Sequence, residues 1–405
     1  MRKVLPESFF KLSIKEKTNR ALLALASLLF FFAIFDTLLS YALPILLTAH
    51  GFSETQLGLI IGSSSFFGAI IDIFVSRFVK NTDFRKMFLL MIAGMALYFG
   101  VLFASETIVM FLFSMALWAL YWNFLSYGLY NFVGSTPETE HATNWGILDI
   151  FKGLGLIVAP IIASVALKEG VTPLIFGVSL VFLFLVYVFY TLLVKVSDTP
   201  KKLSIKTIDR VDYRKFLKVT RIIFPILLMD ILLAIFDMSF STIGPLISES
   251  LKGPHALGGL FLTLYYLPTV IMLWLAGPIT KRFGKKRTAF IGFSIGAIGI
   301  GTFALFGKGV ILLPLVFVTS MISSLAWPAI KGCFADYITR YPKYEREIEI
   351  LTSFFGNIGC IIGPVIAGFL AQHMGDIEAL SAIGVVCGVI TLVVWRTTPR
   401  KIRII

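Results

Sequence analysis

Long apolar runs separated by short polar stretches set the pattern of this chain. Runs able to supply about 20 helical residues each fall at roughly 20–48, 54–79, 86–104, 108–133, 145–167 and 173–195. A polar stretch at 196–218 follows, containing Ser197-Asp198-Thr199-Pro200-Lys201-Lys202. Six more runs come at roughly 220–247, 256–280, 288–307, 310–334, 348–370 and 378–396. The pattern predicts an all-α membrane protein of twelve spans. Residues 1–195 form an N-terminal six-helix bundle, 196–218 a cytoplasmic linker and 219–405 a C-terminal six-helix bundle. Residues 1–19 are polar and basic and are expected to form a short surface helix or tail. The first apolar run is too long for a signal-peptide core and lacks a small-residue cleavage site, so it is kept as a span.

The second six runs repeat the first. Ala33-Ile34-Phe35-Asp36-Thr37-Leu38-Leu39-Ser40-Tyr41-Ala42-Leu43-Pro44 returns as Ala234-Ile235-Phe236-Asp237-Met238-Ser239-Phe240-Ser241-Thr242-Ile243-Gly244-Pro245, at a constant offset of 201 residues. In each copy Asp, Ser and Pro stand at i, i+4 and i+8, on one helical face. Each proline withholds the N–H that would bond the carbonyl of Ser40 or Ser241. Leu57-Gly58 matches Leu257-Gly258, and Phe151, Gly155, Pro160 and Ala163 match Phe355, Gly359, Pro364 and Ala367. Two six-span units of one orientation, with a site at their interface, are a transporter architecture. A mid-membrane acid costs a few kcal/mol or more and is a functional-site hypothesis by default. The plainer alternative is an acid that only hydrogen-bonds a neighbouring helix.

Composition agrees with the span pattern. Only 15% of residues are charged, against about 25% in soluble chains. The net charge of +13 could suggest nucleic acid, but its distribution follows the membrane. Basic clusters at 1–20, 77–86, 195–221, 281–287, 331–346 and 396–403 hold 32 of the 36 Lys and Arg. They occur at every second inter-span position, while the opposite loops hold only Lys168, Lys252 and Lys308. By the positive-inside rule both termini and the linker are cytoplasmic. The expected location is the plasma membrane, multi-pass, with the lipid bilayer rather than nucleic acid as partner. The chain is expected to act as a monomer.

Cys333, Cys360 and Cys387 lie in apolar runs, so no disulfide framework is expected. The histidines His50, His141, His255 and His373 stand apart without metal-ligand spacing. The glycines of 277–287 lack the Gly-x4-Gly-Lys-Ser/Thr spacing of a phosphate loop, and no His-Glu-x-x-His or Gly-x-Ser-x-Gly occurs. No cofactor, metal or enzymatic activity is expected. Transport must draw on a gradient or run passively.

Gly277-Pro278-Ile279-Thr280-Lys281-Arg282-Phe283-Gly284-Lys285-Lys286-Arg287 carries a resemblance. It is similar to the Gly-x-x-x-Asp-Arg-x-Gly-Arg-Arg loop of major facilitator superfamily transporters, with the acid replaced by Lys281. The first-half copy is more degenerate: Ser76-Arg77-Phe78-Val79-Lys80-Asn81-Thr82-Asp83-Phe84-Arg85-Lys86. The family's acid latches cytoplasmic helix ends. Here Lys80 and Lys281 stand in its place, and Asp72, about one turn inside, is the candidate substitute. Gly359-Cys360-Ile361-Ile362-Gly363-Pro364 resembles a second family signature, echoed by Gly155-Leu156-Ile157-Val158-Ala159-Pro160. In the family this signature accompanies antiport when it lies in the fifth span. Close helix packing and a proline kink explain it equally. The resemblance covers essentially the whole chain and implies two pseudo-symmetric six-helix bundles. In that fold spans 1, 4, 7 and 10 line a cavity, and 3, 6, 9 and 12 stand at the periphery.

Buried charges fall accordingly: Asp36 in span 1, Asp72 in span 2, Asp149 and Lys152 in span 5, Asp230 and Asp237 in span 7, and Lys331 and Asp336 in span 10. Spans 3, 6, 9 and 12 have none in their cores. Asp149 and Lys152 are spaced to pair on one helix face, or Lys152 can snorkel to the interface. Asp230 lies two turns from Asp237 on the same face. Span 4 carries Trp118, Tyr121, Trp122, Tyr127 and Tyr130, and Trp327-Pro328 sits at matching depth in span 10. Such aromatics suit an apolar, aromatic or sugar-like solute, or else fill helix interfaces.

The expected function is secondary transport of a small organic solute by alternating access, with protonation of Asp36 or Asp237 as the coupling event. Alternatives are a passive facilitator, an organic-anion carrier using Lys152 and Lys331, and a non-transporting receptor or assembly subunit on the same scaffold. Topology is directly testable. Cysteines introduced at 200 and 308 should label from opposite sides of the membrane, and same-side labelling would remove the twelve-span arrangement.

Overall fold

The computed structural model describes residues 17–78, 82–136, 140–167, 173–197, 213–253 and 257–398. The first half consists of α1 (Lys17–Ala49), α2 (Glu54–Phe78), α3 (Phe84–Phe103), α4 (Ile108–Gly134), α5 (His141–Ala166) and α6 (Pro173–Val196). The second consists of α7 (Tyr213–Lys252), α8 (Phe261–Phe283), α9 (Lys285–Ile300), α10 (Leu312–Ser323), α11 (Ala326–Arg340), α12 (Glu345–Met374) and α13 (Asp376–Thr397). No strand occurs among the described residues. Eleven helices there are long and apolar enough to cross a membrane. The count is twelve when Gly258–Met272 and Leu275–Phe283, bent by 65°, form one span.

Local chemistry sets several boundaries. Asp83 caps α3 by accepting from the Lys86 N–H, and Thr107 caps α4 through Met110. These side chains satisfy donors that the first helical turn leaves open. Gly375 takes φ 94° between α12 and α13, a conformation that glycine adopts without steric cost. The acids Asp376 and Glu378 in the first turn of α13 complement its positive end.

Several boundaries differ from the sequence expectation: α9 ends at Ile300, short of the expected 307, and two further differences have a local cause. Helix α7 begins at Tyr213, six residues inside the expected linker. Arg214, Lys215 and Lys218 lower the hydropathy there without preventing a helix that continues into water. Most of the linker, 198–212, lies outside the described residues. The tenth span is also split, with α10 ending at Ser323 and α11 starting at Ala326. Ser324 and Leu325 carry ψ near −20°, the tighter geometry of a 3₁₀ turn. Pro328 cannot donate to the Ser324 carbonyl, so the regular ladder is interrupted at this point.

The sequence repeat is a packing repeat. A Cβ on Gly155 of α5 would stand 2.6 Å from the Phe30 carbonyl oxygen and 2.7 Å from the Ala33 Cβ on α1. A Cβ on Gly359 of α12 would stand 2.7 Å from the Ile231 carbonyl oxygen and 2.6 Å from the Ala234 Cβ on α7. Phe30 and Ile231, like Ala33 and Ala234, are partners in the 201-residue repeat. Gly363 likewise lies against the Ile235 carbonyl. The Gly-x-x-x-Gly-Pro signature thus brings α12 close to α7. On α6, Leu180, Val181 and Phe184 are more than half exposed, as a lipid-facing peripheral helix requires.

The halves meet at the face opposite the one that carries residues 17 and 398. Tyr41 of α1 donates to Glu249 of α7 at 2.9 Å and shares a second 2.9 Å hydrogen bond with the Ser248 hydroxyl. Lys252 of α7 donates to the Ser164 carbonyl of α5 at 2.9 Å and pairs with Glu249 at 2.5 Å. Thr263 of α8 reaches the Ile157 carbonyl of α5, and the Thr55 N–H reaches Gln372 of α12. Helices α2 and α12 touch backbone to backbone beside them. A Cβ on Gly58 would run into the Pro364 carbonyl, and one on Gly368 into the Glu54 carbonyl.

Gly58→Ala and Gly368→Ala should therefore each lower stability by about 1–3 kcal/mol through overpacking. Gly177→Ala, where a Cβ meets nothing within 4 Å, should not. Thermal unfolding of the purified variants checks this. Indistinguishable unfolding of all three would contradict the close α2–α12 contact.

Candidate functional site

Asp36 sits on α1 at 7% exposure. Its Oδ1 accepts from Trp118 Nε1 at 3.0 Å, Tyr121 Oη at 2.5 Å and Trp122 Nε1 at 3.0 Å, all on α4. Trp118, Tyr121 and Trp122 lie at i, i+3 and i+4, so one helical face presents three donors to one oxygen. Lys152 of α5 places its ammonium 4.4 Å from the Trp122 ring centroid and acts on Asp36 through its charge. A cation over an indole face is attracted by the ring quadrupole. Asp36 is thus met by three donors from the first half, with Lys152 on the neighbouring Trp122 ring and no Lys152–Asp36 ion pair among the described residues.

Asp237 is held differently. Its Oδ1 accepts from Tyr265 of α8 at 2.5 Å, and its Oδ2 accepts from Trp327 Nε1 of α11 at 2.6 Å. Trp122 and Trp327 are counterparts: each sits in the fourth span of its half and donates to the repeated acid. The tyrosine donor comes from the fourth span in the first half and from the second span in the other. Tyr265 is fixed by stacking on Phe240, with centroids 3.9 Å apart.

The sequence placed the acids correctly on their helices but not their partners. Both carboxylates are anchored within their own halves, not turned across to the other. Neither Ser40 nor Ser241 bonds the acid one turn below among the described hydrogen bonds. Ser241 donates to the Asp237 backbone carbonyl instead, at 3.1 Å. The reason is competition: indole and phenol donors from neighbouring spans reach the carboxylates, and a serine hydroxyl one turn away satisfies itself on its own helix. Asp149 is exposed and forms no ion pair with Lys152 among the described residues, because Lys152 turns to Trp122. Asp230 is buried on α7, its Oδ2 facing Gly356 of α12, with Lys331 as the nearest opposing charge.

The described loop-motif residues gather at the face that carries residues 17 and 398. Asp72 accepts from Tyr127 of α4 at 2.5 Å. Arg85 donates to the Ser197 hydroxyl and carbonyl, tying the start of α3 to the end of α6. Lys86 is exposed, and Lys80 lies outside the described residues. In the second half Gly277, Lys281 and Arg282 lie in the last turns of α8, and Gly284, at φ 85°, makes the turn into α9. Lys285 pairs with Asp336 of α11 at 2.6 Å. Lys285, Lys286 and Arg287 line a cleft of about 1040 Å³ together with Arg340 and Arg396. With the family's acid replaced, the tie of this loop runs from its lysine to Asp336 within one half.

Tyr265, Ser320 and the Tyr41–Glu249 contact were not anticipated from the sequence. The signal for Tyr265 was present in Tyr265-Tyr266, a pair of phenols inside an apolar run that must find partners. Among the described residues no group of three or more His, Cys, Asp or Glu is placed to hold a metal.

Comparison with known proteins places this geometry. The Major Facilitator Superfamily model matches residues 25–236 and 226–403. The class B tetracycline resistance protein of Escherichia coli is 24% identical over 286 residues, 67% of this chain and 70% of that protein. The putative transporter YoaB of Bacillus subtilis (strain 168) is 30% identical over 130 residues, a match spanning 31% of each chain. The crystal structure of the nucleoside transporter NupG aligns with a TM-score of 0.73 at 12% identity, covering 93% of this chain and 98% of that one. An inward-facing bacterial homologue of the lysosomal transporter Spinster aligns at 0.69 and 13%, covering 95% and 98%. The chain belongs to the Major Facilitator Superfamily.

Proposed function

We propose that the protein is a proton-coupled secondary transporter of a small organic solute, working by alternating access between its two halves. The observation that carries this is the repeated acid, one per half, each held by an indole of the fourth span in that half. A scaffold or receptor has no need of two mid-membrane carboxylates. The hydrogen bonds described above between the halves lie toward one face, the one that the basic-residue count puts outside, which suits a conformer open toward the cytoplasm. Of the two acids, Asp237 is the better proton carrier. Asp36 already has three donors and Lys152 on the adjoining Trp122 ring, whereas Asp237 has two donors and, among the described residues, no ion pair. A carboxylate without compensation must gain a proton or a cation when its site closes to water.

A second reading, transport of an organic anion, has one specific support. Lys152 of the first half and Lys331 of the second lie within electrostatic range of each other. Two cations from opposite halves that act on each other electrostatically suit an anionic solute.

The test is accumulation in vesicles under an imposed pH gradient. Asp237→Asn should abolish gradient-driven accumulation and its pH dependence while leaving exchange of bound solute largely intact. Asp36→Asn should weaken solute handling without removing the pH dependence. Unchanged, pH-dependent accumulation in both variants would contradict the reading and leave the facilitator as the better description. Lys152→Gln and Lys331→Gln should reduce uptake of anionic solutes specifically. Equal loss for neutral and anionic solutes would remove the anion reading.

A further inference from the structure

Beside Asp237 lies a small chamber of about 20 Å³, lined by Asp237, Thr269, Ser320, Ser323, Ser324 and Trp327 among others. That is room for one water-sized particle. Its wall is mixed: Leu233, Phe236 and Phe293 supply apolar surface, and Asp237, Tyr265, Thr269, Ser320, Ser323 and Ser324 contribute side-chain oxygens. The Thr269 hydroxyl donates to the Tyr266 carbonyl at 2.6 Å, Ser323 to the Ser320 carbonyl at 3.3 Å and Ser324 to the Met321 carbonyl at 3.3 Å. Each of these protons is engaged on a backbone oxygen, so the hydroxyl lone pairs remain for another partner. Ser320 is 1% exposed, and its Oγ has no hydrogen-bond partner. A buried hydroxyl of this kind calls for an explanation. The chamber also adjoins the break between α10 and α11, where Pro328 leaves the Ser324 carbonyl without a helical donor.

The first half has no such arrangement around Asp36. There one oxygen takes three donors, and the protein's own Lys152 lies on the Trp122 ring beside it. The groups facing Asp237 are Tyr265 and Tyr266 of α8, Trp327 of α11 and Cys360 of α12, with Asp230 two turns away on α7. No lysine or arginine among the described residues acts on it. A proton alone needs no space and no ring of hydroxyls, whereas a hard cation needs both.

We propose that this chamber is a binding site for a single small monovalent cation, sodium, held by the Asp237 carboxylate and the hydroxyls of Thr269, Ser320, Ser323 and Ser324. It rests on Asp237 being the coupling acid of the proposed transporter, and it makes sodium a competitor of the proton there. Sodium requires the ionised carboxylate, so its effect grows as pH rises.

Thermal unfolding of the purified full-length protein in sodium chloride, with choline chloride holding ionic strength constant, tests this. Sodium should raise the unfolding temperature in a saturable way, and more at higher pH, because a ligand that binds only the folded state stabilises it. Asp237→Asn should abolish the response, and Asp36→Asn should retain it. Ser320→Ala removes an unpartnered hydroxyl, so its fold should not suffer. Its sodium affinity should fall about ten- to hundredfold. Equilibrium binding of radioactive sodium should give one site per chain in the wild type and none in Asp237→Asn. A saturable response that Ser320→Ala leaves unchanged would place the ion elsewhere and overturn the assignment. No response while Asp237→Asn still abolishes accumulation means that the chamber holds only water, which overturns the sodium site and leaves the proton reading standing. A sodium response with intact accumulation in Asp237→Asn would do the reverse.

Discussion

A carboxylate carried into the bilayer interior costs a few kcal/mol or more unless donors or a cation meet it there. This chain carries the cost twice, at Asp36 and Asp237, and much of the surrounding structure serves those two groups. The face of α4 is spaced to deliver Trp118, Tyr121 and Trp122 to one oxygen. Tyr265 is braced by Phe240, and Trp327 stands at the start of α11, where the tenth span is broken. Apolar packing around these rings supplies rigidity, and the indole and phenol groups supply the polar contacts that the hydrocarbon core lacks.

The two sites descend from one pattern and have diverged in their electrostatics. Both halves press a small residue of the fifth span against the first, Gly155 on Phe30 and Gly359 on Ile231. Both place an indole of the fourth span on the acid. The first half adds a third donor and Lys152. The second has no ion pair on Asp237 among the described residues and opens a small chamber whose wall mixes apolar side chains with Thr269, Ser320, Ser323 and Ser324. Pseudo-symmetry therefore fixes where the acids stand, while their surroundings differ.

Much of the fold was legible in the sequence because its signals are strong and additive. Twenty-residue apolar runs, alternating basic loops and a repeat with constant offset each point to the same arrangement. Boundaries set by charge rather than by backbone were missed, as at Tyr213, where a helix runs on past the apolar segment. The acids were legible as acids at mid-membrane depth. Their partners were not, because hydrogen bonds between spans depend on the rotation of helices about their axes, which periodicity along one helix does not determine. Ser241, on the same face as Asp237, donates to the Asp237 backbone carbonyl rather than to its carboxylate. The pairing of Asp149 with Lys152, which sequence spacing allows, is overridden by the Trp122 ring. Ser320 gave no signal beyond being one of several serines in an apolar run.

The central claim is that the Asp237 carboxylate exchanges its compensating proton as solute binds. Infrared difference spectroscopy of the reconstituted protein, with and without solute, in H2O and D2O, tests this most directly. A protonated-carboxyl band that shifts on deuteration, changes when solute is added, survives in Asp36→Asn and is missing in Asp237→Asn is the predicted result. A solute-induced difference spectrum with no carboxyl band, or with one that persists in Asp237→Asn, would contradict the account.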